Sequence, residues 1–400
     1  MLRRLALFVG ASALLAFGRA AEPPVLPGVG GAMQAEVEAG EVAGVVTLVT
    51  TPETTIHWEA TGCARLLPET PMRRDAVFFL ASITKVFTGV AVLMLQDEGR
   101  LDVNDPVAKY LPEFAELKTA AGEPADITIA HLLTHRSGLA DTKVADYGKA
   151  GPDLAGLLAA RLPLGPVASA PGGRWNYNSF AFDVAGRIVE VVSGRTFDAF
   201  LEERLFAPLG LGDTTFYPDA AQRRRLADFY EKNRHTGALE RRETWSGLPL
   251  PVRGRFPPLP GGGLFSTAGD LARFCRMLLR RGELDGRRYL SERAFQLLTT
   301  IQTGDEPSGP RGWGLGPGVI RGPGDGLAGQ MGAGSFGHAG ASGCELIVDP
   351  VRQCGYLLLV HRRGLPGGWD NRVVGRFVAA ANRALEPALA ERAEAEERVK

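Results

Sequence analysis

Between Val77 and Gly99 the chain reads VFFLASITKVFTGVAVLMLQDEG. Nearly every side chain up to Leu95 is apolar, so the helix expected from Ser82, stopped by Gly99 as its C′ residue, belongs inside a core. Within that stretch Ser82 and Lys85 are almost the only groups capable of chemistry. Residues three apart on a helix share one face, about one turn from each other. A serine hydroxyl is a poor nucleophile until something removes its proton. A lysine in water, with a pKa of ~10.4, is protonated and cannot do so. Burial and the positive end of a helix dipole both favour the neutral form of a lysine. The spacing therefore suits a nucleophile beside its base. It equally suits a serine N-cap followed by a lysine that snorkels to solvent, so the tetrapeptide alone leaves both readings open.

Such a helix demands a large core, and the chain can supply one. It has 400 residues, of which 45% are hydrophobic, enough for one large or two medium domains. The 45 basic and 45 acidic side chains cancel, which argues against nucleic acid or an anionic membrane as the main partner. The 51 glycines predict long irregular loops. No internal repeat is visible, and the charged end EPALAERAEAEERVK reads as a solvated helix extension.

The first residues, MLRRLALFVGASALLAFGRA, read as a signal peptide over 1–20. Arg3 and Arg4 precede an apolar run from Leu5 to Gly18, and Gly18 and Ala20 are small residues where signal peptidase reads. The run is shorter than the ~20 residues a bilayer span needs, although an uncleaved anchor is the rival reading. The expectation is a secreted or periplasmic protein with no stable membrane insertion after cleavage.

Residues 21–400 read as one unit, with an α/β part over about 30–98 and 260–390 and a helical part over about 99–245. A short helix over Met33–Glu38 leads into VAGVVTLVTT and TIHWEATGCA, β-branched runs joined by a turn at Thr51–Thr54. Asn104-Asp105-Pro106 predicts a cap with proline at the first helical position. TIAHLLTH and FAFDVAGRIVEVV repeat apolar residues at helical spacing and stop before Gly138 and Gly194. The Pro/Gly-rich passage SGLPLPVRGRFPPLPGGG reads as a boundary or a site rim. STAGDLARFCRMLLRRG is a capped helix, and GHAGASGCELIVDP and QCGYLLLVHR are two antiparallel strands around Asp349-Pro350. WDNRVVGRFVAAANRALEPAL closes the chain as a helix. Strands at both ends and helices between them predict an α+β fold, an α/β sandwich whose antiparallel sheet is assembled from the two chain ends.

The segments FFLASITKVFTGVAVLMLQDEGRLDVNDPVAKYLPEF, ITIAHLLTHRSGL, LFAPLGLGDTTF and GGGLFSTAGDLARF occur in this order. Together they resemble the serine β-lactamase-like superfamily: class C β-lactamases, D-alanyl-D-alanine carboxypeptidases and transpeptidases, and related esterases. The resemblance runs from about Val42 to Arg362. It implies a Ser-Lys-Tyr centre, with the serine and lysine at Ser82 and Lys85 and the family's Y-x-N motif at Tyr177-Asn178-Ser179. The tyrosine would shuttle protons to and from nucleophile and leaving group. Ser179 stands where the family has asparagine, so a substrate-facing amide is missing unless Asn178 reaches in; as a local reading, Ser179 suits the N-cap of the following helix. The K-T-G or H-x-G motif falls on His338-Ala339-Gly340, where glycine would let substrate approach the strand closely. The amides of Ser82 and Ala341 would form the oxyanion hole. No metal or organic cofactor is implied.

His131 and His135 have metal-ligand spacing, but Leu132 stands where a zinc protease has glutamate, so they read as packing and hydrogen bonding beneath the site. Gly261 to Gly263 lack the lysine of a phosphate loop and read as tight packing; Arg223 to Arg225 read as a solvated face. Cys344 and Cys354, symmetric about Asp349, would lie within disulfide reach if directly opposed. The expected function is an acyl-enzyme serine hydrolase acting on a small-molecule ester, amide or peptide. A D-Ala-D-Ala carboxypeptidase or class C-type β-lactamase is the alternative, and a non-catalytic binding protein on the same fold is the second. Ser82, Lys85 and Tyr177 together argue against the last.

Overall fold

The structure, a computed structural model, describes residues 24–141, 151–162, 166–244, 249–322, 324–365 and 371–399. The expected leader lies outside these residues, as do 246–248 and 369–370 of the segments discussed above. Eight strands form one sheet: β1 (Gly44–Thr50), β2 (Thr55–Leu66), β3 (Glu69–Pro71), β4 (Arg311–Trp313), β5 (Gly318–Ile320), β6 (Phe336–Ala339), β7 (Glu345–Asp349) and β8 (Cys354–Leu359). Their order is β4-β5-β6-β7-β8-β1-β2-β3. Every neighbouring pair is antiparallel, and the junction of the two chain ends is the β8–β1 ladder, Val46 to Leu359 through Thr50 to Gly355. The α+β architecture expected from the sequence is the one observed.

All seven residues of β1 are buried, Thr47 and Thr50 included, in keeping with its β-branched run. Alternate side chains serve different cores. Val46, Leu48, Leu346, Leu357 and Leu359 join the larger core with α2 (Thr84–Asp97) and the helix at Ala268–Leu279. Val45, Val49, Ile347, Tyr356 and Leu358 meet α1 (Val29–Glu38) and the closing helix Arg372–Val399 on the other face. Among the described residues, no helix is long and apolar enough to cross a membrane.

Several local expectations change. The stretch 337–350 is not one strand: β6 ends at Ala339 and β7 begins at Glu345, with a turn closed by Gly343 N–H to the Gly340 carbonyl at 2.9 Å. The following hairpin is centred beyond Asp349, which is the last residue of β7 and pairs with Cys354. Its carboxylate accepts from the amides of Val351 and Arg352, at 2.8 and 2.9 Å, and so shapes the turn itself. Cys344 therefore does not oppose Cys354; the two lie in different cores on opposite faces of the sheet, and all four cysteines are free thiols. Pro106 precedes a short 3₁₀ turn, Val107–Lys109, in place of the expected proline-started helix. Arg223 and Arg225 are half-buried: Arg225 pairs with Asp213, and Arg223 donates to the carbonyl of Pro251.

The turn preceding α2 is stitched to residues 260–266 from far along the chain. Phe78–Phe79 pairs antiparallel with Phe265–Ser266, and Leu80 N–H donates to the Leu264 carbonyl at 2.8 Å. Thr84 Oγ accepts from Leu264 N–H at 3.1 Å, and Thr88 Oγ donates to the Pro260 carbonyl at 2.8 Å. A third element, α3 (Phe180–Ser193), packs beside α2 and carries the residues that follow Tyr177.

Candidate active site

Ser82 lies in a 3₁₀ turn, Ala81–Ile83, that runs straight into α2. From Ala81 to Leu95 it is the one residue that is not buried. Ala81 holds φ 48°, a left-handed conformation uncommon outside glycine, which turns the chain sharply just before the serine. Lys85 is 0% exposed. Its Nζ lies 3.0 Å from Ser82 Oγ, 3.1 Å from Ser179 Oγ and 2.5 Å from the carbonyl oxygen of Gly261. The lysine thus turns inward to three partners, and the snorkelling alternative is excluded by its burial.

Gly261 is placed from behind. Its N–H donates to Asp183 Oδ1 at 2.9 Å, and Asp183 pairs at 2.8 Å with Arg161, both side chains 0% exposed. A Cβ on Gly261 would meet the Ser179 carbonyl at 2.5 Å, so this position requires glycine for close approach. The expectation of tight packing at the triple glycine holds, but the sequence reading missed that the same backbone holds Lys85.

Tyr177 stands with its ring 4.9 Å from Lys85 Nζ and stacked on His135 at 4.4 Å. Trp175, Trp313 and His338 complete an aromatic surround, with centroids 6.0–6.4 Å from the Tyr177 ring. His135 accepts from Asn178 N–H at 3.0 Å, and burial, then the nearby Lys85, pushes its pKa well below the ordinary histidine value. His131 closes a capping box with Thr128. Among the described residues no group of three or more candidate ligands could hold a metal.

Ser179 occupies the N-cap position of α3 without capping it. Asp141 Oδ1 takes that role, accepting from the amides of Ser179 and Phe180 at 3.0 and 3.3 Å. Asn178 does not reach the site: its side chain is buried, donating to the Leu139 carbonyl at 2.6 Å and accepting from Ala181 N–H at 2.8 Å. The local capping reading of Ser179 is therefore overturned, and its hydroxyl is left facing Lys85.

His338 is buried on β6 and donates through Nδ1 to the carbonyl of Ala339 at 2.7 Å, since a carbonyl can only accept. Burial, reinforced by Lys85, pushes its pKa down to about 3, so the ring is neutral near pH 7. Gly340 is close-packed: a Cβ there would lie 2.3 Å from the Leu80 carbonyl oxygen. Its small size thus serves contact between β6 and the serine-bearing turn, where the sequence reading expected contact with substrate. Ala341, just beyond it, is exposed and borders the same cavity as Ser82.

That cavity has a volume of about 300 Å³. Ser82, Tyr177 and Ser179 open onto it, and its walls are largely Phe79, Phe216, Phe229, Phe256, Phe265 and Leu250. Among the described residues lining it, Asp141 is the one charged side chain. Pro249, Pro251 and Pro257 place the Pro/Gly-rich passage at its rim, one of the two readings offered for that segment.

The β-lactamase family model matches residues 30–380. Among similar proteins, penicillin-binding protein 4 of Amycolatopsis lactamdurans is 34% identical over 72% of each chain. Esterase EstB of Burkholderia gladioli is 31% identical over 69% of this chain and 74% of its own. The solved structure of EstCE1, described as a hydrolase with promiscuous acyltransferase activity, superposes with a TM-score of 0.74 at 23% identity, over 88% of this chain and 97% of its own. That likeness shows the shared fold.

Proposed function

The chain belongs to the β-lactamase family of serine hydrolases, and from that premise we propose that it cleaves neutral esters with an apolar acyl or alcohol part through an acyl-enzyme on Ser82. The observation that carries the substrate reading is the lining of the cavity: aromatic and aliphatic walls and, among the described residues, one carboxylate and no cation. A substrate bearing its own carboxylate, such as a D-Ala-D-Ala peptide or a β-lactam, would meet Asp141 and find no positive partner among the described lining residues. His338, which stands where the family also uses lysine, is neutral and supplies no charge. Ala339 offers no hydroxyl in place of the family's threonine. An apolar ester instead replaces water against the walls, at roughly 25 cal/mol for each Å² of apolar surface covered.

The chemistry follows from the three partners of Lys85. The Gly261 carbonyl can only accept, so one N–H is committed to it. The hydroxyls of Ser82 and Ser179 can each donate or accept. Acting as the base, Lys85 gives one N–H to Gly261 and one to Ser179, and aims its lone pair at the proton of Ser82. Ser82 Oγ then attacks the carbonyl carbon while its proton passes to Nζ. The amides of Ser82 and Ala341 receive the developing oxyanion, a contribution of ~3 kcal/mol each in comparable sites. Tyr177, held by His135 and beside Lys85, returns a proton to the leaving group. Asp183 and Arg161 act through Gly261 to keep Nζ in place.

The test compares kcat/KM for short neutral esters and for a cephalosporin. The unmatched carboxylate should disfavour the cephalosporin by ~1–3 kcal/mol, about ten- to hundred-fold. A preference for the cephalosporin, or for a D-Ala-D-Ala peptide, would move the assignment to the carboxypeptidase or β-lactamase reading.

A further inference from the structure

We propose that the Ser179 hydroxyl is a catalytic group, a second proton carrier that passes protons between Lys85 and the leaving oxygen. The proposal rests on the reading of Ser82 as nucleophile and concerns how the leaving group receives its proton. Three observations carry it. Ser179 Oγ is 3.1 Å from Lys85 Nζ and opens onto the same cavity as Ser82, so it touches both the base and the space where substrate reacts. Its local duty at the start of α3 is taken over by Asp141 and Asn178, which leaves the hydroxyl available. The Tyr177 hydroxyl, by contrast, makes no hydrogen bond to another described residue; Tyr177 meets Lys85 through its ring face.

The chemistry depends on serine standing at this position. An asparagine amide donates and accepts through different atoms, so it can orient a neighbour but cannot take a proton and give one at the same centre. A hydroxyl can. In acylation the Ser82 Oγ bonds to the ester carbon and its proton moves to Lys85 Nζ. The bond from that carbon to the alcohol oxygen then breaks. Ser179 gives its hydroxyl proton to the departing oxygen and takes one from the Lys85 ammonium. Lys85 ends neutral, Ser179 ends intact, and the alcohol leaves protonated. In deacylation a water takes the place of the alcohol and gives its proton directly to Lys85 Nζ as its oxygen bonds to the acyl carbon. Lys85 returns that proton to Ser82 Oγ as the acid leaves; Ser179 acts only on the departing alcohol.

The experiment uses two esters with the same acyl group, ethyl butyrate and 4-nitrophenyl butyrate. Ethoxide needs a proton to depart; 4-nitrophenolate does not. In Ser179→Ala, kcat for the ethyl ester should fall by about 10²-fold or more, while kcat for the nitrophenyl ester stays within about threefold. KM for both should change little. Ser179→Thr, which keeps a hydroxyl, should hold the ethyl-ester rate within about tenfold of the parent and provides the comparison if the alanine variant does not fold. Equal losses on the two esters, no loss on either, a loss confined to KM, or a threonine variant as selective against the ethyl ester as the alanine one would overturn the proposal. Failure of the underlying reading looks different: Ser82→Ala would then turn over both esters.

Discussion

Lys85 and Gly261 stand 176 positions apart in the chain, yet the lysine Nζ donates to the glycine carbonyl at 2.5 Å. One end of that contact lies on an apolar helix and the other in a loop of prolines and glycines, so the geometry of the base is set by tertiary structure. The same loop is anchored by Asp183 through Gly261 N–H, and Asp183 by Arg161. The arrangement fixes the base through two hydroxyls and a backbone carbonyl.

Gly261→Ala is expected to disable the base while leaving every catalytic side chain present. The new methyl would meet the Ser179 carbonyl at 2.5 Å and Asp183 Oδ1 at 3.1 Å, so the backbone must shift and carry its carbonyl away from Lys85. Overpacking of this kind costs about 1–3 kcal/mol of stability. Ester hydrolysis should fall by at least tenfold in kcat, in line with a misplaced general base. Steady-state kinetics together with a melting curve separates the two effects; an unchanged kcat would show that the carbonyl contact does not position Lys85.

Arg161→Met should be the more damaging change for stability. It leaves the buried Asp183 carboxylate without its guanidinium, and breaking a buried pair in this way costs about 3–5 kcal/mol. The double variant Arg161→Met/Asp183→Asn removes the charge and keeps a carbonyl oxygen to accept from Gly261. It should recover at least half of the lost stability in denaturant titration. A double variant no more stable than Arg161→Met would mean that the cost is packing alone.

Much of this architecture was legible before any coordinates. The apolar helix behind Ser82 and the assembly of one sheet from both chain ends follow from the residue pattern, whereas Tyr177 and His338 are expected at the site only through the family resemblance. What was not legible has a common physical cause. Ser179 was read as a cap because local propensity knows only neighbouring residues, while the oxygen that does the capping comes from Asp141. The Gly261 carbonyl is a backbone group and leaves no mark on side-chain identity. The break between β6 and β7 falls on Gly340-Ala341-Ser342-Gly343, a turn-type run that a reading of the whole stretch as one strand passes over. The hairpin register is hidden because Asp349-Pro350 looks like the turn in sequence, whereas Asp349 ends a strand and shapes the turn with its carboxylate.

Stability should fall on mild acidification. His338 is pushed down to about 3, and His57 and His361 to about 4, chiefly by burial. In the unfolded chain each returns to a pKa of ~6.5. Between those values the unfolded state binds protons that the folded state refuses, so stability rises with pH in this window. The stabilisation is complete above about pH 6.5 and is lost as the pH falls towards 4. Urea midpoints at pH 7.5 and pH 5 should differ in that sense, and His361→Gln should narrow the difference. Equal midpoints for the parent protein would show that these rings are not buried as neutral groups.

No disulfide should form, even in an oxidising compartment. Cys344 and Cys354 point into separate cores, and Cys63 and Cys275 are also free. Thiol titration of denatured, unreduced protein should count four thiols. A count of two would contradict the register of β7 against β8.

The central claim is that Ser82 becomes acylated with Lys85 as its base, and mass spectrometry tests it most directly. The protein is incubated with a slowly hydrolysed acylating ester, quenched and digested. One adduct should appear on the peptide containing Ser82, be absent from Ser82→Ala, and form far more slowly in Lys85→Ala. Ser82→Ala should also lose ester hydrolysis while keeping its melting temperature, because the change removes a single hydroxyl. An unlabelled Ser82 together with full activity in Ser82→Ala would contradict the account.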